Sequence, residues 1–403
     1  MNFKNAAEAA KDYVVEQRRW FHQHPELSWQ EFKTTDKIEQ ELKKMGYDVV
    51  RFGDKPGCYA DLDTGKPGKT ILLRADIDAL SVTEKTGYDF ASVNEGVMHA
   101  CGHDGHIASL LGAAKILMEN KDTLAGGKIR LFFQPAEETA CGVVWYMEEG
   151  KVLEGVDAVM SQHIWGGLES PYINFQSGRR MACCDSFTLT VNGVSAHGTN
   201  PHLGRDALVA AASIIMNLQT FVSRVNNPLN PLVLTVGTMN AGQSYNTIPN
   251  KAVMTGCVRT YDREFRATVT ETLKRIVENT AVAMGVTAEL EYKFAAPAVI
   301  NDHDDLNKIA HNAAVKMYGE ESLKELPMMM ASEDFAYLME QVPGIYGYIG
   351  SYNVADGLTY TNHNDKYSID ESSICRGVAM YAQFAADYLV YSLLSHHKYT
   401  INF

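Results

Sequence analysis

The order of predicted strands and helices changes twice along this chain, and these two changes constrain the fold most. Short apolar runs such as residues 70–76 and 128–133 alternate with helical patterns in the first part. Buried strands that alternate with helices are typical of an α/β domain with a largely parallel sheet. The middle part instead follows the order β-α-β-β-α-β of a ferredoxin-like unit. We therefore predict a discontinuous α/β catalytic domain, residues 1–184 and 298–403, into which a smaller α+β domain, residues 185–297, is inserted.

The composition limits the possible partners. The 403 residues include 36 Lys and Arg against 49 Asp and Glu, a formal net charge of −13. Nucleic-acid binding depends on clustered Lys and Arg, so this balance argues against such a partner. No apolar run approaches the roughly 20 residues of a membrane span, and the polar amino terminus lacks a signal-peptide pattern. Seven scattered cysteines without a C-x-x-C pair suit a reducing compartment, which predicts a cytoplasmic protein.

Metal-binding residue types are concentrated in residues 98–106, Met-His-Ala-Cys-Gly-His-Asp-Gly-His. Cys101 and His103 are two residues apart, just before a helix expected to start near residue 104, so on an extended segment both side chains point the same way. Thiolate, imidazole and carboxylate together suit zinc or a similar divalent ion. The candidate ligands follow predicted strands or lie in loops, and the ends of such strands meet at one sheet edge. They are Cys101, His103, Glu138, His163 and His363.

Five ligands exceed what a single open tetrahedral site takes. We therefore expect two divalent metal ions per chain, Zn, Mn, Co or Ni, that share one bridging ligand. Cys101 is the bridge we expect. A plainer interpretation stays open for His163 and His363, since a lone histidine is usually a surface or a hydrogen-bonded core residue.

The adjacent glutamates in Gln-Pro-Ala-Glu-Glu, residues 134–138, predict a division of roles. Neighbouring residues on an irregular segment point in different directions, so Glu138 is expected to bind metal and Glu137 to transfer protons. A metal ion lowers the pKa of bound water to about 7. Glu137 could accept that proton and later protonate the departing amine. A Glu-Glu pair is often only a solvated turn, but this pair directly follows a buried-type strand.

Other residues of the same types have different expected roles. His99 and His106 are expected to be structural. The histidines expected at the surface are His22, His303, His311, His396 and His397. Two further interpretations stay open: a Cys101 nucleophile with His103 or His106 as its partner, and a metal-binding or peptide-carrier module without activity. The Glu137-Glu138 pair argues against the carrier, because a carrier needs no base.

Eight segments, in order along nearly the whole chain, together form a recognisable set. They are residues 74–80, 99–106, 134–138, 162–163, 195–202, 245–249, 331–335 and 362–363. They resemble the M20 metallopeptidases, and within them the amidohydrolase branch that cleaves N-acyl amino acids, hippurate and auxin–amino acid conjugates. The resemblance implies a dinuclear centre with Cys101, His103, Glu138, His163 and His363 as ligands and Glu137 as base. It also implies that the inserted domain is a lid that mediates dimerisation and contacts the substrate.

The resemblance adds further residues to the candidate site. His197 looks like the family's lid histidine, which stabilises the carbonyl oxygen as it becomes anionic, and Asn246 like its lid asparagine. Arg259 is a candidate for gripping a substrate carboxylate through its planar fork, with a plain surface strand arginine as the alternative. Asp76 stands where many M20 peptidases have a metal-binding histidine. We expect Asp76 and Asp78 to orient ligand histidines.

These inferences combine into one predicted function. The chain is expected to be a cytoplasmic homodimer, dimeric through the inserted domain, that hydrolyses the amide bond of N-acyl amino acids like an aminoacylase or hippurate hydrolase. The alternative is a dipeptidase or carboxypeptidase that acts on short peptides with the same dinuclear site.

Overall fold

The computed structural model describes residues 2–400 and the side chains of residues 2–394, so the side chains of His396 and His397 lie outside it. Its helices are α1 (Lys4–Ala9), α2 (Lys11–Gln23), α3 (Phe32–Lys44), α4 (His103–Glu119), α5 (Gly142–Glu148), α6 (Ala207–Thr220), α7 (Arg263–Ala283), α8 (Asp304–Tyr318), α9 (Ala336–Gln341) and α10 (Ser372–Thr400). Its strands are β1 (Val49–Phe52), β2 (Lys55–Asp63), β3 (Thr70–Asp76), β4 (Lys128–Gln134), β5 (Ala158–Glu169), β6 (Ile173–Asn174), β7 (Gly178–Met181), β8 (Asp185–Asn192), β9 (Ala196–His197), β10 (Leu232–Ala241), β11 (Thr247–Ile248), β12 (Lys251–Thr260), β13 (Thr287–Lys293), β14 (Val299–Asn301) and β15 (Gly344–Tyr352).

A seven-stranded sheet in the order β1-β2-β4-β3-β5-β15-β6 forms the centre of the first unit. Its four central strands, β4, β3, β5 and β15, run parallel, whereas the strands at both edges pair antiparallel. Every residue of β3 is buried, which explains its unbroken apolar pattern, since a strand covered on both faces has no solvated side. The α/β class is confirmed, and the sheet is mixed with a parallel centre.

Helix α4 is the central helix of this unit, and its first turn carries part of the candidate site. It packs against α2, α10 and β3. Most of its residues are buried from His103 to Leu117, so it is apolar on nearly every side. Gly102 precedes it with φ +94°, a left-handed conformation that glycine adopts without a steric penalty.

The second unit contains the elements β8-α6-β10-β12-α7-β13, which is the predicted ferredoxin-like order. Its antiparallel sheet has the order β10-β12-β8-β13. Phe187 and Leu189 of the sheet pack in one apolar core with Ile214 of α6 and Leu273 of α7. Asp262 caps α7 by accepting the backbone N–H of Phe265, so the helix begins where its first orphan donors are satisfied.

The chain divides into two compact units whose bounds differ from the predicted ones. The second unit comprises Arg179–Val299 and Met328–Glu333, and the remainder forms the first. It begins before residue 185 because Cys183 donates its backbone N–H to Thr260. Residues 328–333, which the prediction gave to the catalytic domain, belong to it because Arg259 donates to the carbonyl of Met330 at 2.8 Å.

The stretch Ala207–Val225, formed by α6 and the π-helical turn after it, is long and apolar enough to cross a membrane by length and composition. The expectation that no run comes near that length is therefore wrong. The inward side chains of α6, among them Ile214 and Leu218, pack in the core of the second unit. Its outer side chains Val209 and Met216 are exposed although they are apolar. An outer face of this kind is a candidate contact surface.

Candidate metal centre

The candidate ligands lie at the carboxyl ends of the parallel strands, where ligands of open α/β sheets gather. Glu138 follows β4, and His163 lies within β5, which continues to Glu169 although the apolar run of the sequence, residues 156–163, predicts a strand that ends at His163. His363 lies in the loop after β15. Cys101 precedes α4, and His103 is the first residue of α4, so it does not lie on an extended segment as predicted. The left-handed Gly102 turns the chain into the helix there.

The structure brings all five predicted ligands together. Sγ of Cys101 lies 3.4 Å from Nε2 of His163. Oε1 of Glu138 lies 3.4 Å from Nε2 of His363 and 3.9 Å from Nε2 of His103. The donor atoms form two groups in which all lie within 4.8 Å of one another: Cys101 with His103 and His163, and Cys101 with Glu138 and His363. Cys101 is common to both groups, as a bridging ligand would be.

Two of the ligand histidines are oriented by bonds on the far side of their rings. Nδ1 of His103 donates to the Asp78 carbonyl at 2.9 Å and lies 3.2 Å from its carboxylate. Nδ1 of His163 donates to the Ile164 carbonyl at 2.8 Å. Each bond leaves Nε2 as the ring nitrogen that faces the other ligands. Among the described residues Nε2 of His103 has no hydrogen-bond partner although it is buried, and a cation would satisfy it.

The charges of the site also fit a bound cation. Burial, followed by the negative charges of Glu138 and Glu137, raises the pKa of the Cys101 thiol well above its ordinary value. A thiol in such surroundings becomes a thiolate only beside a positive charge. A divalent ion bound to the sulfur lowers the pKa of the thiol and deprotonates it. The donor set therefore fits a metal centre.

His106 is structural, as expected, and the structure shows why. Its Nδ1 donates to Asp76 at 2.5 Å and its Nε2 accepts the backbone N–H of Ile164 at 2.8 Å, so both ring nitrogens are engaged. Asp76 thus holds His106, whereas its carboxylate lies 3.7 Å from Nε2 of His103. Burial raises the pKa of Asp76, but the neighbouring His103, His106 and Arg74 outweigh it and keep this pKa well below its ordinary value.

Two buried carboxyl groups hold the turn that presents the paired glutamates. The turn is a 3₁₀ segment, Glu137–Thr139, and Ala136 before it has φ +60°, a left-handed conformation that is uncommon for a residue with a side chain. Glu31 accepts the backbone N–H of Ala136 at 2.8 Å, and Asp78 accepts that of Glu138 at 3.0 Å. Burial, followed by the charge of Asp78, raises the pKa of Glu31 to about 9. Glu31 precedes α3 outside any metal-binding pattern, so the sequence did not indicate it.

A buried ionic network joins the ends of β3 and β4. Arg74 donates to Gln134 at 2.8 Å, to Asp76 at 2.7 Å and to Asp334 at 3.0 Å. Asp334 also accepts the backbone N–H of Val143 at 2.9 Å. All of these side chains are buried. Arg74, Gln134 and Asp334 all belong to the recognised segments, yet nothing in the sequence indicated that they contact one another.

His22 is buried, and its expected surface position is wrong. Its Nδ1 lies 2.8 Å from Asp104 and its Nε2 lies 3.1 Å from Glu84, so the ring bridges two carboxylates. Burial lowers the pKa of His22, but the two carboxylates outweigh it and raise this pKa above its ordinary value. The pattern misled because α2 packs against the start of α4, which only the tertiary structure reveals. His311 is exposed, as expected, and His303 lies half-buried at the surface.

The remaining candidates lie in the second unit. His197 is exposed on β9 and pairs with Thr247 of β11. The next residue, Gly198, donates its backbone N–H to the carbonyl of Asn246 at 2.7 Å, so His197 and Asn246 lie close together where β9 pairs with β11. Arg259 lies on β12, half-buried, with one N–H engaged by the Met330 carbonyl. The substrate roles of these three residues stay predictions.

Comparisons with known proteins agree with this geometry. A family model described as Peptidase family M20/M25/M40 matches residues 72–387. An N-acetyl-L-cysteine deacetylase of Bacillus subtilis is 40% identical over 89% of this chain and 84% of its own length. Thermostable carboxypeptidase 1 of Saccharolobus solfataricus is 34% identical over 96% of this chain and 98% of its own. The crystal structure of the Bacillus subtilis YXEP protein, described as a dinuclear metal binding peptidase, has a TM-score of 0.83 at 32% identity and covers 95% of this chain and 99% of its own.

Proposed function

Because this chain belongs to Peptidase family M20/M25/M40, within its amidohydrolase branch, we propose that it hydrolyses the amide bond of N-acyl amino acids in a metal-dependent reaction. The observation that carries the proposal is the convergence of four metal-binding side chains, His103, His163, Glu138 and His363, on Cys101, with Glu137 beside them. The deacetylase relative supports an acyl amino acid as substrate. The carboxypeptidase relative keeps short peptides as the alternative.

The proposed cofactor is a pair of divalent ions, Zn, Mn, Co or Ni. Cys101, His103 and His163 would hold one ion, and Cys101, Glu138 and His363 the other. When bound, such ions supply Lewis acidity that polarises the amide carbonyl and makes water more acidic. The bonds from Asp78 and the Ile164 carbonyl keep both imidazoles turned with Nε2 toward this pair.

Glu137 is the proposed general base and acid. Its carboxylate lies within 4.8 Å of donor atoms of His103 and Glu138, and it is almost fully buried. A carboxylate there can take a proton from the water that attacks the amide carbon and hand it to the leaving amine nitrogen. The hydrogen bonds that Glu31 and Asp78 make to the turn fix the direction of this side chain.

Three residues of the second unit complete the proposal. His197 and Asn246 are proposed to donate hydrogen bonds to the substrate oxygen as it becomes anionic. Arg259 is proposed to bind the substrate carboxylate through its planar guanidinium group, one N–H of which donates to the Met330 carbonyl. The free carboxylate is what an N-acyl amino acid and a short peptide have in common.

A substrate panel tests the proposed activity. N-acetyl and N-benzoyl amino acids are compared with dipeptides and longer peptides by kcat/KM at a fixed metal concentration. We expect the N-acyl amino acids to give the higher values. Dipeptides or peptides that give higher values would replace the proposal by the alternative peptidase.

Removing the metal is expected to abolish activity reversibly. Prolonged dialysis against a chelator removes the ions, and the five ligands then lack the Lewis acid that the reaction requires. Activity should return when Zn²⁺, Mn²⁺, Co²⁺ or Ni²⁺ is added to the dialysed protein. Full activity in protein that elemental analysis shows to be metal-free would contradict the proposal and favour a Cys101 nucleophile.

We also propose that the protein is a homodimer through the outer face of α6. A groove of about 760 Å³ lies between the exposed sides of α6 and α7 and is lined by Val209, Met216, Asn279 and Ala283. A contiguous apolar surface of this kind is typical of a contact surface. A second copy of the chain presents the same apolar face, as a two-fold contact requires.

The substitution Met216→Glu is expected to shift the dimer to a monomer. Met216 is 69% exposed, so the fold tolerates a charge there, whereas a dimer would bury it without a partner. The oligomeric mass from size-exclusion chromatography with light scattering reports the shift. Ala267→Glu is the matched control, an exposed position on α7 outside the groove. A monomeric wild-type protein, or a Met216→Glu protein that stays dimeric, would contradict this interface.

The cytoplasm is the proposed compartment. All seven cysteines, each within the described residues, are free thiols, which suits a reducing environment. The net charge of −13 continues to argue against a nucleic-acid partner. A membrane is likewise no proposed partner, because the α6 face is assigned to a second copy.

A further inference from the structure

Asn362 connects three segments of the chain that carry proposed metal ligands. Its Nδ2 donates to the carbonyl of Cys101 at 2.8 Å, and its Oδ1 accepts the backbone N–H of Gly166 at 3.0 Å. The next residue, His363, donates its backbone N–H to the carbonyl of Ala100 at 2.7 Å. The loop of His363 is therefore joined both to the start of α4 and to the part of β5 that follows His163.

The residues around Asn362 leave room for its hydrogen bond to Gly166 only because residue 166 has no side chain. A Cβ atom at Gly166 would lie 3.2 Å from Oδ1 of Asn362 and 2.9 Å from the ring of Tyr367. Any side chain at Gly166 would therefore press Asn362 away from the backbone N–H. Tyr367 also packs against Gly102, where a Cβ atom would lie 3.1 Å from its hydroxyl. The amide of Asn362 is thus held in a closely packed position between the two segments.

His363 depends on its loop more than the other ligands depend on theirs. Its side chain is 56% exposed, against 15% for Glu138 and 1% for His103. Its φ of +71° is a left-handed conformation that is uncommon for a histidine and must be maintained by the surroundings. His103 and His163 are buried and have their rings oriented by carbonyl groups. A comparable restraint on His363 comes from its own backbone and from Asn362.

We propose that Asn362 is a positioning residue that sets the His363 loop against Cys101 and thereby the affinity for the second ion. The second ion is the one that Cys101, Glu138 and His363 would hold. The inference rests on the proposed metal-dependent function and deepens it. The first ion, held by Cys101, His103 and His163, should depend little on Asn362, because those ligands are buried and separately oriented.

The test is a metal titration of the demetallated protein with Asn362→Asp. The aspartate has the same shape but replaces the N–H donor by an oxygen that faces the Cys101 carbonyl. It also adds a negative charge, which by electrostatics alone would strengthen cation binding. We expect the opposite: two Mn²⁺ ions bind to the wild-type protein, whereas in the variant the second binds about 10- to 100-fold more weakly. Excess Mn²⁺ should restore kcat without a change in KM.

Asn364→Asp is the matched control on the same loop. Asn364 is exposed, and its Oδ1 accepts the backbone N–H of Lys366 at 2.9 Å, a role that aspartate keeps. The control adds the same charge two residues away and should bind both ions as the wild-type protein does. Asn362→Ser removes both contacts without adding a charge, and it should likewise lower the affinity for the second ion. Circular dichroism of each metal-free protein verifies that the fold is retained.

The outcomes separate this inference from the proposed function. A wild-type protein that binds no ion overturns both. A wild-type protein with two ions and an Asn362→Asp variant with unchanged affinities overturn the role of Asn362 alone. An equal loss in Asn364→Asp would show that the effect does not depend on the two contacts of Asn362, and would overturn its role as well.

Discussion

The Glu137→Gln protein is expected to bind two divalent ions per chain and to lose about 10²- to 10⁴-fold in kcat, the usual contribution of general acid–base catalysis. Glutamine keeps the shape of glutamate but cannot accept the proton of the attacking water. Metal binding should persist because Glu137 belongs to neither of the two donor groups that share Cys101. Steady-state kinetics with an N-acyl amino acid and elemental analysis of the same sample measure both properties.

Glu148→Gln is the control for this substitution. Glu148 is an exposed residue at the end of α5 and should tolerate the change without loss of kcat. Unchanged turnover in Glu137→Gln would remove the proposed proton transfer. If the variant lost its metal as well as its turnover, Glu137 would be a metal ligand rather than the general base.

The Arg74→Met protein is expected to lose about 3–5 kcal/mol of unfolding free energy, the usual effect of removing one partner from a buried ion pair. The guanidinium group forms ion pairs with Asp76 and Asp334, and all three side chains are almost completely buried. Methionine has a similar length but leaves both carboxylates without their shared cation. Urea unfolding of the metal-free protein, followed by circular dichroism, measures the loss.

Arg51→Met is the matched control for the same change on the surface. Arg51 pairs with Asp36 and Glu39 at 2.9 Å, but these groups are partly exposed. An exposed pair contributes only about 0–1 kcal/mol, so this variant should unfold near the wild-type midpoint. Equal effects of both substitutions would show that burial does not make the Arg74 network special.

The central strands of the fold could be predicted because their sequences are continuous apolar runs. β3 matches the predicted run 70–76, and β4 extends one residue beyond the predicted run 128–133. β5 begins two residues after the start of the apolar run 156–163 and ends six residues beyond it. β15 had no comparable signal, because glycines interrupt its sequence Gly-Ile-Tyr-Gly-Tyr-Ile-Gly-Ser-Tyr. The structure explains one of them: a Cβ atom at Gly347 would lie 2.2 Å from the ring of Phe175, so close packing requires glycine there. Such an approach cannot be read from one sequence.

The first helix shows a second limit of the sequence pattern. Residues 6–22 have one continuous helical periodicity, yet the structure has α1 and α2 separated at Ala10. Alanine is the best helix former, so no breaker marks this position. Ala10 is buried in the main core, and packing there decides the break. Tertiary contacts outweigh local propensity in this segment.

Some residues of the candidate site could likewise be predicted from the sequence, and others could not. Cys101, His103 and the paired glutamates could be found because metal chemistry requires these residue types at close spacing. Glu31 and Asn362 act through hydrogen bonds to the backbone of distant segments. Asn362 lies in the recognised segment 362–363, but nothing in the sequence indicates these partners, and a lone glutamate has no pattern that distinguishes it from a surface residue. His22 was misjudged for the same reason.

Anomalous X-ray diffraction from crystals soaked with Zn²⁺, measured on both sides of the zinc absorption edge, tests the central claim most directly. The account predicts two peaks per chain in contact with Cys101, His103, Glu138, His163 and His363, with Sγ of Cys101 touching both. Fully loaded crystals without a peak among these side chains, or with Cys101 far from every bound ion, would contradict it.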